Sequence, residues 1–474
     1  MNTTVGGLTA RRKTIILASC CLSLLIVSMD ATIVNVAVPA VRADLHASAP
    51  QLQWVIDVYT LALASLLLLA GAAGDRFGRR RVFQTGLCVF ALGSLLCSLA
   101  PDIQWLIAAR LIQGIGASMM NPVALSIISQ IFVERVERAR ALGIWGGVVG
   151  ISMALGPIVG GLLIEVVGWR SVFWINLPIC AAAVILTAVF VPETKSATMR
   201  SIDPIGQLLA VGALFGVVFV LIEGPVLGFS DPRTVAVAVT AAVAFVAFLR
   251  YESRRHDPFI DLRFFGSIPF ASATVIAVCA FAAWAAFLFM MSLYLQGVRG
   301  YSAMDTGLVY LPIAIGALFF SPLSGRLVGR YGSRPSLLTS GVLIAAASVM
   351  LAFLTATTPV WMILVIFAVY GIGFGMVNAP VTNAAVSGMP QDRAGAASAV
   401  TSTSRQVGVS IGVALCGSLA GPALAGTAAQ FTDAARPLWW VSTALGLCIV
   451  VLSMLSTSAR ADRSAERLAP LIAG

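Results

Sequence analysis

Apolar runs of about twenty residues or more recur along the whole chain, separated by short segments that hold nearly all of its charge. At ~1.5 Å per residue, an α-helix of that length crosses the ~30 Å hydrocarbon core of a bilayer. Hydrocarbon offers no partner to backbone N–H and C=O groups, and these runs are too long for barrel strands, so each must close its hydrogen bonds as a helix. Composition agrees: of 474 residues, 59% are hydrophobic and 11% charged, where soluble domains carry about a quarter charged. The expected fold is all-α and polytopic.

Fourteen spans are expected, at about 14–40, 51–73, 82–100, 104–130, 141–165, 171–191, 203–223, 233–250, 268–295, 305–327, 335–356, 360–389, 395–420 and 437–457. With the N-terminus inside, inner loops and tails carry 23 of the 30 Lys and Arg residues, and outer loops carry five: Arg42, Arg170, Arg233, Arg299 and Arg436. That asymmetry puts both termini in the cytoplasm. It also accounts for the net charge of +10 through topology, with no nucleic-acid partner implied. All eight cysteines fall within apolar runs without paired spacing, as packing residues do, and imply neither disulfides nor a metal site. The first span follows Arg11, Arg12 and Lys13. It is longer than a signal-peptide core and precedes no small-residue cleavage site, so it is expected to stay in the protein.

The chain repeats itself. Gly114-Ile-Gly-Ala-Ser-Met-Met-Asn121 is echoed by Gly371-Ile-Gly-Phe-Gly-Met-Val-Asn378 at an offset of 257. Gly71, Arg76, Gly78 and Arg80 are echoed by Gly325, Arg330, Gly332 and Arg334 at an offset of 254. Arg138, Ala139 and Ala141 match Arg393, Ala394 and Ala396. The organisation is six plus two plus six: a six-helix bundle over 1–195, two inserted helices within 196–265, a second bundle over 266–460 and a tail over 461–474. An even number of spans separates equivalent helices, so the repeats are parallel. That architecture belongs to transporters that bind substrate between two halves near the midplane.

Several motifs sit on this frame. The loop after the second span reads Gly71-Ala-Ala-Gly-Asp75-Arg76-Phe77-Gly78-Arg79-Arg80-Arg81; its glycines permit a tight turn, and Asp75 has charge-assisted hydrogen bonds or a helix N-terminus open to it. On the fourth span Arg110, Gly114, Ala117 and Asn121 share one stripe at the helical period, with Gln113 beside it. The fifth span holds Gly143, Gly146, Gly147 and Gly150 and ends Gly156-Pro157-Ile-Val-Gly160-Gly161, a flat packing face with a proline that bends the helix. Two carboxylates lie inside apolar spans: Asp30, in Ser28-Met-Asp30-Ala-Thr-Ile-Val-Asn35, and Asp57, in Trp54-Val-Ile-Asp57-Val-Tyr59. An ionisable group at bilayer depth costs at least ~2.5–3.5 kcal/mol and points to function.

These motifs resemble those of the major facilitator superfamily, and within it the fourteen-helix drug/proton antiporters that include quaternary-ammonium efflux pumps. The resemblance covers nearly the whole chain. It implies the major facilitator fold in the bacterial cytoplasmic membrane, and proton-coupled multidrug efflux by alternating access, driven by the proton gradient without a cofactor. In that family the loop matched by Gly71, Asp75, Arg76, Gly78 and Arg79 forms a charge relay that stabilises one conformation. Arg110 matches an arginine linked to proton coupling, and Gly156, Pro157, Gly160 and Gly161 match an ending associated with antiport. Asp30 falls in the signature of the fourteen-helix branch, and Asp57 resembles an acid of quaternary-ammonium exporters. Ala73 stands where leucine is usual, and in the second copy Gly329 takes the aspartate's place. Asp30, Asp57 and Arg110 are thus the expected proton-coupling residues, with proton and organic cation competing for one anionic site.

No carboxylate lies at depth in the second six spans; where some of these pumps carry acids on the tenth and thirteenth helices, this chain has Leu311 to Ala317 and Arg405-Gln406. The expected substrate cavity is lined by Asn35, Tyr59, Gln113, Asn121, Trp145, Trp284, Tyr310, Asn378 and Gln406. Its aromatic walls attract cations, and the expected substrates are lipophilic cations of modest charge. Trp169 and Trp174 are expected to anchor the sixth helix at the interface, and Glu223 to face the outer headgroups. The glycine-rich stretches lack a phosphate-binding GKS or GKT, and the two histidines, His46 and His256, lie in loops, so ATP use, a catalytic triad and a metal centre are not implied. A monomer is expected. The closest alternative is an exporter of an endogenous metabolite or lipid on the same scaffold, and a remote one is a membrane sensor that does not transport.

Overall fold

A helix or helix pair overlies every expected span. A computed structural model describes residues 9–194, 203–255, 258, 260–387, 394–420 and 428–473, and the described residues contain helices and no strands. His256 and Arg393 lie outside them, as do the surroundings of Gly143, Gly146, Gly147 and Gly150. The first half contains α1 (Ala10–Leu45), α2 (Ala49–Phe77), α3 (Arg79–Ser98), α4 (Ile103–Ile131) and α5 (Arg135–Val166), then a short α6 (Ser171–Trp174) leading into α7 (Asn176–Phe190). The inserted pair is α8 (Pro204–Leu227) and α9 (Pro232–Glu252). The second half contains α10 (Ile268–Leu293), α11 (Ala303–Val309), α12 (Leu311–Tyr331), α13 (Arg334–Ala352), α14 (Val360–Gly375), α15 (Asn378–Val386), α16 (Ala394–Ala420) and α17 (Ala428–Ser456).

Among the described residues, twelve helical stretches are long and apolar enough to cross a membrane. Two further helices, α5 with 32 residues and α16 with 27, lie where the fifth and thirteenth spans are expected. The repeat is visible in the helix starts: α3 and α13 begin 255 residues apart, α4 and α14 begin 257 apart. The tail expected after residue 460 is an amphipathic helix, α18 (Ala459–Ala473), packed on α10 and on the 3-10 turn Leu262–Gly266. Ser464 Oγ accepts there from the Ile268 backbone N–H at 3.0 Å.

Local signals set the boundaries. Ser48 and Gln51 form a capping box that starts α2 three residues after α1 ends, satisfying two otherwise orphaned donors. Gly78, at φ +110°, turns the chain from α2 into α3 in a conformation that a side chain disfavours. Within the first half α4 packs on α2 and α3, and α1 on α5 and α7; within the second, α10 packs on α16 and α17, and α13 on α14 and α17. Outward faces stay apolar, with Leu208 72% and Val243 62% exposed, as lipid-facing surfaces require.

The halves meet chiefly along two seams, α2 against α16 and α5 against α11 and α12, with a lighter contact of α1 against α10. The inserted helix α8 packs on both α2 and α16, while α9 packs on α8. Polar bonds tie α8 to α2: Trp54 Nε1 donates to Glu223 Oε1 at 2.8 Å, and Gln207 donates to the Ser65 carbonyl. Toward α16 its contact is apolar, Val218 and Ile222 clustering with Leu61 and Ala414. Glu223, expected among headgroups, is half-exposed and takes part in this helix junction.

Candidate functional site

Between the halves lies a cavity of about 1490 Å³, larger than the several hundred Å³ of a typical drug-sized site. Its wall runs from Val34, Asn35 and Tyr59 to Asp75, Arg79, Val328 and Val386. The last four lie where α2, α12 and α15 end and α3 begins, so the cavity opens at the arginine-rich end of the bundle. The opposite end is closed. A Cβ placed on Gly161 of α5 would lie 2.5 Å from the Ala303 carbonyl oxygen of α11, and one on Gly307 of α11 would lie 2.5 Å from that of Pro157. On the other side of α5, one on Gly160 would lie 2.6 Å from the Ile33 side chain of α1. Only glycine lets these backbones approach so closely. Gln296 adds a hydrogen bond across the closed end, its Nε2 donating to the Val36 carbonyl at 2.9 Å.

Asp30 does not line this cavity. It is fully buried, with an oxygen 2.5 Å from Arg110 Nη1. Its other oxygen accepts from Gln113 Nε2 at 2.9 Å and from Asn176 Nδ2 at 3.3 Å. Ser94 Oγ accepts from the same two amides, at 2.8 and 3.3 Å. Arg110 also donates from Nη1 to Gln113 Oε1 at 2.6 Å and from Nε to the Val55 carbonyl at 3.0 Å, with its guanidinium carbon 4.2 Å from the Tyr59 ring centroid. A pair this far from water survives only when further hydrogen bonds complete it; α2, α4 and α7 supply them, and Ser94 of α3 holds the two amides. Arg110 and Tyr59 present the cavity side of the cluster.

Asp57 sits at the seam. Gln53, Asp57 and Thr60 share one face of α2 by their spacing of four and three residues. Gln53 Nε2 donates to the Val413 carbonyl of α16 at 2.7 Å, and the Thr60 and Ser410 hydroxyls lie 2.8 Å apart. Between them Asp57 is fully buried, with no counter-charge among the described residues and only the Thr60 hydroxyl beside its carboxylate. That is an unusual state for a buried acid.

At the mouth, Arg79 Nη2 donates to Asp75 Oδ1 at 2.8 Å within the motif loop. The loop is tied to the end of α7 by Arg79 N–H donating to the Thr194 carbonyl at 3.0 Å and Arg80 N–H to Glu193 Oε1 at 3.2 Å. Arg76 stacks on Phe77, 5.7 Å from its centroid. Trp169 Nε1 donates to Asp44 Oδ2 at 3.0 Å, which joins the start of α6 to the end of α1, while Trp174 is exposed.

Of the expected cavity residues, Asn35, Tyr59, Asn121, Trp145, Trp284, Asn378 and Gln406 line it. Two do not. Gln113 faces inward to the Asp30 cluster, and the Tyr310 hydroxyl donates to the Leu288 carbonyl at 3.1 Å, its ring packed against Phe287 and Phe367. Lining carboxylates reduce to Asp75, which is already paired with Arg79; Arg110 is answered by Asp30; and Arg405 has no acidic partner among the described residues. The residues that sequence reasoning passed over are Ser94, Asn176, Phe281, Phe374 and Thr382. Asn176 and Thr382 carried a signal: the first lies in the run after Trp169, and the second follows Asn378 by one helical turn.

Comparison with known proteins fits this geometry. A family model described as Major Facilitator Superfamily matches residues 20–413. The chain is 36% identical over 416 residues to the multidrug resistance protein Stp of Mycobacterium tuberculosis (strain CDC 1551 / Oshkosh), covering 88% of this chain and 77% of that one. It is 35% identical over 419 residues to a tetracenomycin C resistance and export protein of Streptomyces glaucescens, covering 88% and 78%. Among solved structures it resembles a bacterial homolog of the human lysosomal transporter Spinster, inward-facing and unoccupied, with a TM-score of 0.68 at 18% identity over 97% of this chain and 99% of that one.

Proposed function

The chain belongs to the major facilitator superfamily, and from that membership we propose that it is a proton-driven exporter of hydrophobic small molecules in a bacterial cytoplasmic membrane. The observation that carries this reading is the cavity itself: large, set between two six-helix halves, open at the arginine-rich end and closed at the other by the Gly156-to-Gly161 ending. By the positive-inside rule the open end faces the cytoplasm with both termini, so this is a loading state. In this reading α5 and α16 also cross the bilayer, completing fourteen spans.

Proton coupling rests on Asp57. A carboxylate buried without a counter-charge is costly to keep ionised, which makes Asp57 the natural place for a transported proton. Opening the α2–α16 seam to the exterior would hydrate it and let it exchange a proton there. Thr60, on the same face and lining the cavity, gives the proton a way toward the cytoplasm. Asp30 serves differently: fully paired, it holds Arg110 at the cavity wall.

In everted vesicles energised to an acid interior, a panel of hydrophobic antibiotics and dyes should be taken up, with protons released on substrate addition. The Asp57→Asn protein should lose that proton release while still exchanging labelled for unlabelled substrate. Uptake that ignores the proton gradient, or unchanged proton release by Asp57→Asn, would refute the proposal.

A further inference from the structure

We propose that the cavity takes an amphipathic organic anion, an apolar ring system bearing one carboxylate, with Arg405 as its charge partner. This rests on the exporter reading above and names the substrate class within it.

Arg405 projects from α16 beside α15. Its Nη2 donates to Thr382 Oγ1 at 2.6 Å and more weakly to the Asn378 carbonyl at 3.4 Å. Its buried Nε has no hydrogen-bond partner among the described residues. No carboxylate approaches it among the described residues, and the remaining lining acid, Asp75, is held by Arg79. A guanidinium at bilayer depth without a counter-charge is expensive, and among the described residues the protein oxygens that answer it reach Nη2 alone. A guanidinium presents its donors as a planar fork that matches a carboxylate. The missing negative charge is therefore supplied by what enters the cavity.

The neighbouring surface sets the rest of the ligand. Phe281, whose ring centroid is 5.9 Å from the guanidinium carbon, lines the cavity with Trp284 and Phe374, the last two stacked at 4.3 Å. Leu288, Val409 and Val413 extend the apolar wall. Gln406 and Asn378 offer neutral hydrogen bonds beside the arginine. An aromatic face next to a lone guanidinium suits a hydrophobic acid. It repels an organic cation, for which the wall holds no free carboxylate.

The test uses one ring in three charge states: 2-naphthoate, 2-naphthamide and 2-naphthylmethylammonium, titrated against purified full-length protein in phosphatidylcholine nanodiscs by tryptophan fluorescence. Naphthoate should bind about tenfold or more tightly than naphthamide, the gain of a charge-assisted contact, and the ammonium more weakly than either. Arg405→Gln should bring the naphthoate-to-naphthamide ratio to about one, and Arg405→Lys should restore part of it, which separates lost charge from lost fold. Equal binding of all three probes, or tightest binding of the ammonium, overturns the anion assignment and leaves the exporter reading standing. Failure of every probe to bind overturns both. Displacement of naphthoate by millimolar phosphate or chloride, or its loss when phosphatidylglycerol replaces phosphatidylcholine, would assign Arg405 to an inorganic anion or a lipid headgroup and overturn the proposal.

Discussion

The Asp30–Arg110 pair invites a double-mutant cycle. In Asp30→Asn the new side chain can still accept from Gln113 and Asn176 through its oxygen, but its NH2 then faces Arg110 Nη1, donor against donor, across what is now 2.5 Å. Arg110, 1% exposed, would keep its charge with no counterion. Removing one partner of a buried pair costs ~3–5 kcal/mol, so Asp30→Asn and Arg110→Gln should each lose stability by that order. The double variant removes both charges and leaves amides able to bond one another and the Val55 carbonyl. It should recover at least ~2 kcal/mol relative to the sum of the singles, a coupling of the size expected for groups in direct contact. The assay is equilibrium unfolding by SDS in mixed micelles, with monodispersity as a control. Single variants within ~1 kcal/mol of the parent, or a double variant that loses the full sum, would refute the claim that the cluster is a self-contained structural pair.

Three further outcomes follow from the seams and the inserted helix. With native cysteines replaced, Thr60→Cys with Ser410→Cys should cross-link under mild oxidation, since the native hydroxyls lie 2.8 Å apart, and should stop transport until reduced; free transport by the cross-linked protein would show that the seam does not open. Gly161→Val should disfavour the closed end, because even a Cβ there lies 2.5 Å from the Ala303 carbonyl oxygen. In the cysteine-free background, labelling of Met304→Cys by an impermeant maleimide from outside should then rise severalfold, and unchanged labelling would count against the packing argument. Trp54→Phe keeps an aromatic ring toward Phe215 and Phe219 but drops the bond to Glu223 and part of the ring surface, and should cost about 1–2 kcal/mol of unfolding free energy; a loss beyond ~3 kcal/mol would mean that the tryptophan does more than join α8 to α2.

The helices were legible because hydrocarbon length and backbone satisfaction leave one solution for each apolar run. Boundaries were less so where helices outrun their apolar cores: α17 starts at Ala428, nine residues before the expected 437, because a helix reaching past the bilayer tolerates Asp433 and Arg436 in its first turns. The same charge hid α18, whose arginines read as a tail while its apolar face lies on α10. Within the site, polar residues on spans were found but their direction was not. Gln113 and Arg110 are three residues apart on α4, yet only Arg110 reaches the cavity, since the choice of face depends on α1, α3 and α7. The partners of Asp30 come from chain positions as distant as Asn176, 146 residues away, and no local pattern links them.

The inserted pair bears on the machine as a whole. A helix that touches both sides of a moving joint cannot stay fixed to both, and the bonds of α8 are one-sided: Glu223 and Gln207 grip α2, whereas Val218 and Ile222 meet α16 only through apolar surface. Apolar surfaces slide where hydrogen bonds must break. The α8–α9 hairpin is thus bonded to the first bundle and only apposed to the second, so in the seam opening proposed above it would travel with the first and make the moving bodies unequal.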